Sequence, residues 1–263
     1  MARAYNRRMS EAVEHPAKAR VRRPRSTAET VRLVIGEILI TSAFLIALFV
    51  GWKVWFNDVV FGASQSRAAE ELSEEWRQQP EPEPAASTAP NKPAVLSGLV
   101  DGKAFGTIMI PRLGDDYRRP IAEGTGNNVL NTPVLGVGHY SKTQVPGQDG
   151  NIVLASHRTA YGGAFHNIHE LRVGDHVYLE TKDGWYQYTY RNTEYVLASQ
   201  VEVLSPVPMQ PGVEPTDSVL TLTTCNPFLS TAERIIVYNV FTEWFPRSKG
   251  APEEIAHLMK KKA

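Results

Sequence analysis

The sequence predicts a mainly β domain, a closed barrel or sandwich with few and short helices, carried behind one transmembrane helix. Three observations predict it. A run of apolar residues near the N-terminus is long enough to cross a bilayer. A stretch rich in Pro, Glu and Ala follows it. Beyond that stretch, short runs of β-branched or alternating character recur between turn residues.

The bulk numbers set the frame. The chain has 263 residues, room for one domain of ordinary size and extra segments. Its apolar fraction of 42% is enough for a packed core. Basic and acidic residues balance at 28 each, so no global charge draws the chain to nucleic acid, and none is expected as a partner. The balance is uneven along the chain. Arg3, Arg7, Arg8, Lys18, Arg20, Arg22, Arg23 and Arg25 face only Glu11, Glu14 and Glu29 in the opening stretch.

The membrane element comes first. Val31 to Phe56 reads VRLVIGEILITSAFLIALFVGWKVWF, with apolar residues dominant from Leu33 to Val50 and Arg32 and Lys53 on the flanks. Roughly 20 such residues span a hydrocarbon core. Trp52, Trp55 and Phe56 form an aromatic belt at the far interface. Glu37 is the exception; at the centre of a span an acid costs about 2.5–3.5 kcal/mol, but here Arg32 and the near headgroups lie about one turn away. The basic flank orients the N-terminus to the cytoplasm and the rest outside. A cleaved signal peptide needs small residues at its cleavage site, and the nearest candidate, Phe61-Gly62-Ala63, starts with a bulky one. The sequence therefore predicts an uncleaved anchor. The divisions expected are a cytoplasmic N-terminus (1–31), the anchor (32–56), an extracytoplasmic polar and Pro-rich linker (57–98), a catalytic domain (99–247) and a basic tail (248–263).

Ala63 to Trp76 can form a polar helix within that linker. The following QQPEPEPAASTAPNKPA cannot bury enough apolar surface to order itself and reads as a spacer. Strands are then expected at Thr107–Ile110, Asn151–Ala155, His176–Glu180, Trp185–Tyr190, Glu194–Leu197, Ser218–Thr224 and Ile235–Phe241. Lys182-Asp183-Gly184 is a turn between alternating runs, a hairpin signal. Ala164 to Leu171 is the best helical signal, and the tail from Ser248 is expected to be solvated and frayed.

One cysteine, Cys225, rules out an intrachain disulfide and a cysteine metal cage. It stands at the end of the apolar strand Ser218-Val-Leu-Thr-Leu-Thr-Thr224, and Pro227 breaks the ladder just after it. Arg234 opens the next strand. Consecutive strands joined by this loop run antiparallel, which sets Cys225 and Arg234 at one end of the sheet. A guanidinium there favours thiolate and can hold an oxyanion. A small buried cysteine with a surface arginine is the bland alternative. His157 ends a second strand, Asn151-Ile-Val-Leu-Ala-Ser156, in the same style, and imidazole is the usual proton carrier near neutral pH.

These stretches resemble the sortase family. Thr221-Leu-Thr-Thr-Cys225 and Arg234 fit its T-L-x-T-C and Arg signature, and Gly150-Asn-Ile-Val-Leu-Ala-Ser-His157-Arg-Thr fits its histidine block. Tyr161-Gly-Gly-Ala-Phe165 and Leu171-Arg-Val-Gly-Asp175 fit the segments that follow; the likeness runs from about Gly106 to Thr242. Ser156 stands where glycine is commoner. Cys225-Asn-Pro-Phe-Leu-Ser-Thr-Ala-Glu-Arg234, with Gly138-His139-Tyr140 through Pro146-Gly147, is most similar to class E, the actinobacterial housekeeping type.

The resemblance implies a closed eight-stranded barrel and a cysteine transpeptidase without cofactor or metal. Cys225, His157 and Arg234 carry the catalysis; Thr224, Thr223 and Tyr140 contact the peptide. It also implies a sorting signal of the Leu-Ala-x-Thr-Gly or Leu-Pro-x-Thr-Gly kind on surface proteins, and an amine acceptor on a lipid II-type peptidoglycan precursor. His166 and His169 lack metal-protease spacing, His139 reads as a polar core or groove residue, and His15, His176 and His257 carry no signal. Asp115, Asp116 and Glu123 are acids of the kind that bind calcium in some class A relatives, but their spacing demands no site. The L,D-transpeptidases place a His just before the Cys, which this chain does not. A pilin-polymerising sortase and a non-enzymatic tethered β domain remain as alternatives.

Overall fold

The structure is a computed structural model that describes residues 26–79 and 93–260. The basic stretch up to residue 25, residues 80–92 of the Pro-rich spacer, the last three residues and the Val54 and Trp55 side chains lie outside the described residues. Up to Leu48 the chain forms one unit, and from Phe49 onward a second. Helix α1 (Thr27–Gly51) has no buried residue and a mean hydropathy of 2.5, so by length and composition it can cross a membrane. Ser26 and Glu29 form its capping box, each binding the other's backbone N–H.

After α1 come a π-helical turn at Trp52–Phe56 and then α2 (Asn57–Gln78). Eight strands follow: β1 (Ala104–Met109), β2 (Arg118–Glu123), β3 (Val137–His139), β4 (Gly150–Ala155), β5 (His176–Thr181), β6 (Gly184–Leu197), β7 (Ser218–Asn226) and β8 (Glu233–Pro246). They close into a barrel in the order β1-β2-β3-β4-β7-β8-β6-β5. Closure leaves no unpaired sheet edge. The hairpin at Lys182-Asp183 forms as expected, pairing Thr181 with Gly184. β6 is one bulged strand where two runs were expected, because its long partner β8 pairs with it from Gly184 to Leu197.

Two ladders are parallel, β2–β3 and β4–β7. The β4–β7 ladder decides the geometry of function. Parallel strands bring their C-terminal ends to the same end of a sheet, and Ala155 pairs with Thr223. Period-two alternation then decides which face is used. Ile152, Leu154, Leu220, Leu222, Ile235 and Val237 fill the barrel interior. Their alternates, including Ala155, Thr223, Cys225, Arg234 and Ile236, belong to the outer face.

Three expectations are corrected. The region read as a linker contains α2, a docked helix. Its stripe Gly62, Gln65, Ala69, Ser73 and Trp76 is buried at helical spacing, mostly against β2. It looked polar because two of those five residues, Gln65 and Ser73, are polar side chains buried in hydrogen bonds: Gln65 Nε2 donates to the Thr132 and Tyr161 carbonyls, and Ser73 Oγ donates to Glu180 Oε2 at 2.6 Å, while the partly exposed Glu70 pairs with Arg118 at 3.2 Å. The tail is also docked. Glu253–Met259 forms a 3-10 helix whose Ile255 and Leu258 cover Met109, Tyr178 and Trp185 on the barrel exterior. Finally, the helical signal at Ala164–Leu171 shrinks to a 3-10 turn at Ile168–Glu170, because Phe165, Ile168 and Leu171 cap the barrel core instead of lining a helix face.

Candidate active site

β7 and β8 are antiparallel, and Cys225 lies directly opposite Arg234 in their ladder. Cross-strand partners share a face with Cβ atoms about 5 Å apart. Cys225 is free and half-buried. The Arg234 guanidinium donates from Nη1 to the carbonyls of Thr231 at 2.9 Å and Glu233 at 2.8 Å, which moors it to the β7–β8 loop and leaves its other N–H groups for a ligand.

His157 arrives from β4. The Ser156 N–H donates to the Thr223 carbonyl at 3.2 Å, and the Thr224 hydroxyl donates to the Ser156 carbonyl at 2.8 Å. These bonds continue the parallel pairing past the named strands and bring His157 level with Cys225. Ser156 Oγ also donates to the Gly136 carbonyl at 2.6 Å, a use for the serine that stands in place of glycine. The strand register thus sets Cys225, Arg234 and His157 at one end of the β4–β7–β8 sheet.

The expected peptide contacts divide. Thr223 and Thr224 are 6% and 3% exposed, and the Thr224 hydroxyl already holds the residue before His157. Tyr140 donates its backbone N–H to the Val153 carbonyl, so it shares the face of His157 but lies four residues further down β4, roughly 13 Å along the strand. It is not part of the Cys225 corner.

Residues invisible in the sequence complete the corner. Asn131 Oδ1 lies 2.8 Å from His157 Nε2, so that nitrogen carries the proton and Nδ1 faces the other way. Asn131 follows a single helical turn (α3, Asn127–Leu130) in the crossover from β2 to β3. The Tyr161 ring lies 5.3 Å from the His157 ring. Partial burial pushes the His157 imidazole below its ordinary pKa, opposed by the negative charge of Asp58. No local pattern marks Asn131 or Asp58; each reaches the site through tertiary folding.

Just beyond Cys225 the chain presents apolar side chains to solvent. Phe228 and Leu229 of the β7–β8 loop are exposed, with Phe228 edge-on to His166 at 5.6 Å. The neighbours of the three residues are linked too: Arg158 Nη1 donates to Asn226 Oδ1, and Asn226 Nδ2 donates to Glu233 Oε2 at 2.6 Å. A separate cavity of about 240 Å³ lies beside α2, lined by Asp58, Gly62, Ser66, Tyr117 and Arg119; Cys225 is not among its lining residues. Among the described residues no three His, Cys, Asp or Glu side chains are grouped to hold a metal ion. Glu123, one of the acids considered for calcium, is buried and bound to His139 Nδ1 at 2.7 Å, with His139 inside the barrel.

The sortase domain family matches residues 108–241. The chain is 35% identical to sortase SrtE1 of Streptomyces coelicolor over 250 residues, which is 92% of this chain and 66% of that protein's length. It is 32% identical to sortase SrtE2 of the same organism over 243 residues, 89% of this chain and 92% of that one. Among solved structures, that of sortase E1 from Streptomyces coelicolor with a tripeptide in the active site superposes with a TM-score of 0.54 at 36% identity, covering 60% of this chain and 99% of the other.

Proposed function

This chain belongs to the sortase family of cysteine transpeptidases, with class E proteins among its relatives, and from that premise we propose that it cleaves a C-terminal sorting signal between Thr and Gly and joins the cleaved protein to a cell-wall amine. The single observation that carries the proposal is the outer-face corner. Cys225 is paired with Arg234 in one ladder, and His157 is carried to the same level by the parallel β4–β7 pair.

The chemistry follows from the groups present. The Cys225 thiolate attacks the threonine carbonyl carbon. Negative charge builds on the carbonyl oxygen, and the free N–H groups of Arg234 are the donors for it. His157, as the imidazolium beside the Cys225 thiolate and holding Asn131 through Nε2–H, gives its Nδ1 proton to the glycine nitrogen as the C–N bond breaks and is left as neutral imidazole. A thioester remains on Cys225. An incoming amine attacks it, His157 takes the amine's proton, and the new amide leaves the thiolate free.

Phe228, Leu229 and Tyr161 offer apolar surface for the signal's aliphatic residues. An extended pentapeptide spans about 17 Å, so a signal with its Thr–Gly bond at Cys225 is long enough to reach the level of Tyr140. The class E resemblance implies Leu-Ala-x-Thr-Gly as the signal, and a peptidoglycan precursor of the lipid II type as the amine source. Helix α1 is read as a single membrane pass with the N-terminus inside and the barrel outside.

The test uses the full chain in detergent with quenched Leu-Ala-x-Thr-Gly and Leu-Pro-x-Thr-Gly peptides and an added triglycine acceptor, beside Cys225→Ala. The expected result is Thr–Gly cleavage and a Cys225 thioester by mass spectrometry, both lost in Cys225→Ala, with the alanine-containing signal preferred. No cleavage of either peptide, with Cys225 inert to alkylation in the folded chain, overturns the reading.

A further inference from the structure

The histidine side of the site is built on a loop with unusual backbone. Ala160 and Tyr161 are non-glycine residues with φ of 68° and 52°, in the left-handed region that costs energy for side chains other than glycine. Such a conformation persists only where its surroundings hold it. Here the holder is α2. The Asp58 carboxylate at the start of that helix accepts the Ala160 N–H at 2.9 Å and the Gly162 N–H at 3.1 Å. Two turns on, Gln65 Nε2 donates to the Tyr161 carbonyl at 2.9 Å and to the Thr132 carbonyl at 3.1 Å.

The two carbonyls that Gln65 grips are the informative part. Tyr161 carries the ring beside His157, and Thr132 follows Asn131, the partner of His157 Nε2. One amide therefore pins the segments on both sides of the imidazole. Gln65 is fully buried, and the chain leaves room for it and nothing more. A Cβ at Gly136 would come within 2.4 Å of Gln65 Nε2, and one at Gly162 within 2.6 Å of Gln65 Oε1. Phe61, between the two polar clamps, packs edge-on against Tyr161 at 6.0 Å.

We propose that Asp58 and Gln65 are positioning residues for the transfer reaction, so that α2 is a working part of the active site and more than a connector. The proposal rests on the functional reading above. Neither residue touches the peptide; each acts by fixing where the His157 ring stands when it gives and takes the proton. The charge of Asp58, which favours the imidazolium form of His157, acts in the same direction. A misplacement of about 1 Å in such a group can cost up to 100-fold in rate.

The experiment compares the full chain with Gln65→Met, Asp58→Ala and Ser73→Ala, measuring kcat and KM for the cleaved peptide and Tm for each. Gln65→Met keeps the volume and removes both donors. Asp58 is only half-buried, so Asp58→Ala keeps the fold even where Gln65→Met does not. Ser73→Ala breaks a buried hydrogen bond of the same helix to Glu180, away from the His157 loop. The expected result is a kcat roughly 10- to 100-fold lower in the first two, with KM within about twofold, while Ser73→Ala lowers Tm and keeps kcat. Unchanged kcat in Gln65→Met and Asp58→Ala overturns the proposal. So does a fall in all three variants that tracks Tm, which would make α2 ordinary packing. A wild-type chain that cleaves no peptide is a different failure: it removes the functional reading, and the proposal with it.

Discussion

The two sides of the Cys225 corner are built by different means. Cys225 and Arg234 face each other on one rung of an antiparallel ladder whose two strands are joined by a short loop. Their relation is local: a strand, a turn and a strand, with register set by the alternation of Leu220, Leu222, Ile235 and Val237 into the core. His157 stands past the end of its strand, on a loop whose backbone is strained and whose supports come from residues 58, 65 and 131. The ladder side is rigid through hydrogen bonds that every sheet has. The histidine side is rigid only through a few side chains, of which Gln65 alone is fully buried. The nucleophile's geometry is therefore robust to substitution nearby, and the proton carrier's geometry is vulnerable to substitution far away.

The largest effect that tests this contrast comes from removing the proton carrier without disturbing the ladder. His157→Gln retains a polar side chain of similar reach but cannot carry a proton at neutral pH. The expected loss in kcat/KM is on the order of 10²–10⁴-fold. The Cys225–Arg234 ladder is untouched by the change, so alkylation of Cys225 by iodoacetamide continues in the folded variant. Complete loss of alkylation along with turnover would show that the two sides are not independent.

A smaller effect is expected on the ladder side. The Arg234 guanidinium uses Nη1 for two loop carbonyls and has its remaining donors free in a fixed fork. Lysine has a compact ammonium that cannot satisfy both carbonyls and still meet a developing oxyanion from the same position. Arg234→Lys is expected to lose roughly 100-fold in kcat, the cost of one oxyanion donor, with little change in Tm because the position is at the sheet's end. If kcat instead stays within twofold, the guanidinium is not the oxyanion donor, and the ladder side contributes Cys225 alone.

The same contrast explains what the sequence disclosed. A mainly β domain behind one long apolar helix, and the placing of Cys225 and Arg234 at one end of a sheet, were legible because each follows from periodicity and strand order; closure into an eight-stranded barrel and the joining of His157 to that pair came only with the resemblance to sortases. Runs such as Ser218–Thr224 announce a strand, and a reactive residue at its end announces a place. Strands β2 and β3 were not legible. Arg118-Arg-Pro-Ile-Ala-Glu123 opens with two cations and a proline, and Val137-Gly-His139 is three residues long. Only pairing with β1 and β4 makes them strands. The roles of Asp58, Gln65 and Asn131 were illegible for a related reason. A polar residue on a helix reads as solvated, and only tertiary structure shows that Gln65 is buried among three backbone segments. The tail was misread because Ile255 and Leu258 are too few to announce a docked segment by themselves.

The smallest expected effect concerns stability and pH. Burial holds the folded pKa of His157 below the unfolded value near 6.5, with Asp58 pulling the other way. Between those two values the unfolded chain binds more protons at this site than the folded one, so stability falls as pH falls through that window. The contribution is intact above about pH 6.5 and is lost progressively toward the lower, folded pKa. His157→Gln has no proton to gain there. The Tm difference between about pH 7.5 and pH 5.5 is therefore expected to be smaller in His157→Gln than in the wild type. Asp58→Ala is expected to do the reverse: removing the charge that supports imidazolium lowers the folded pKa further, widens the window and enlarges the acid loss. Equal acid losses in all three chains would mean that the His157 ring is solvated, and that the helix–loop clamp does not exclude water from it. Opposite movement of the two variants is the signature of a buried imidazole held under the influence of a carboxylate on another element. It is a property of the His157 side that the Cys225–Arg234 ladder has no means to imitate.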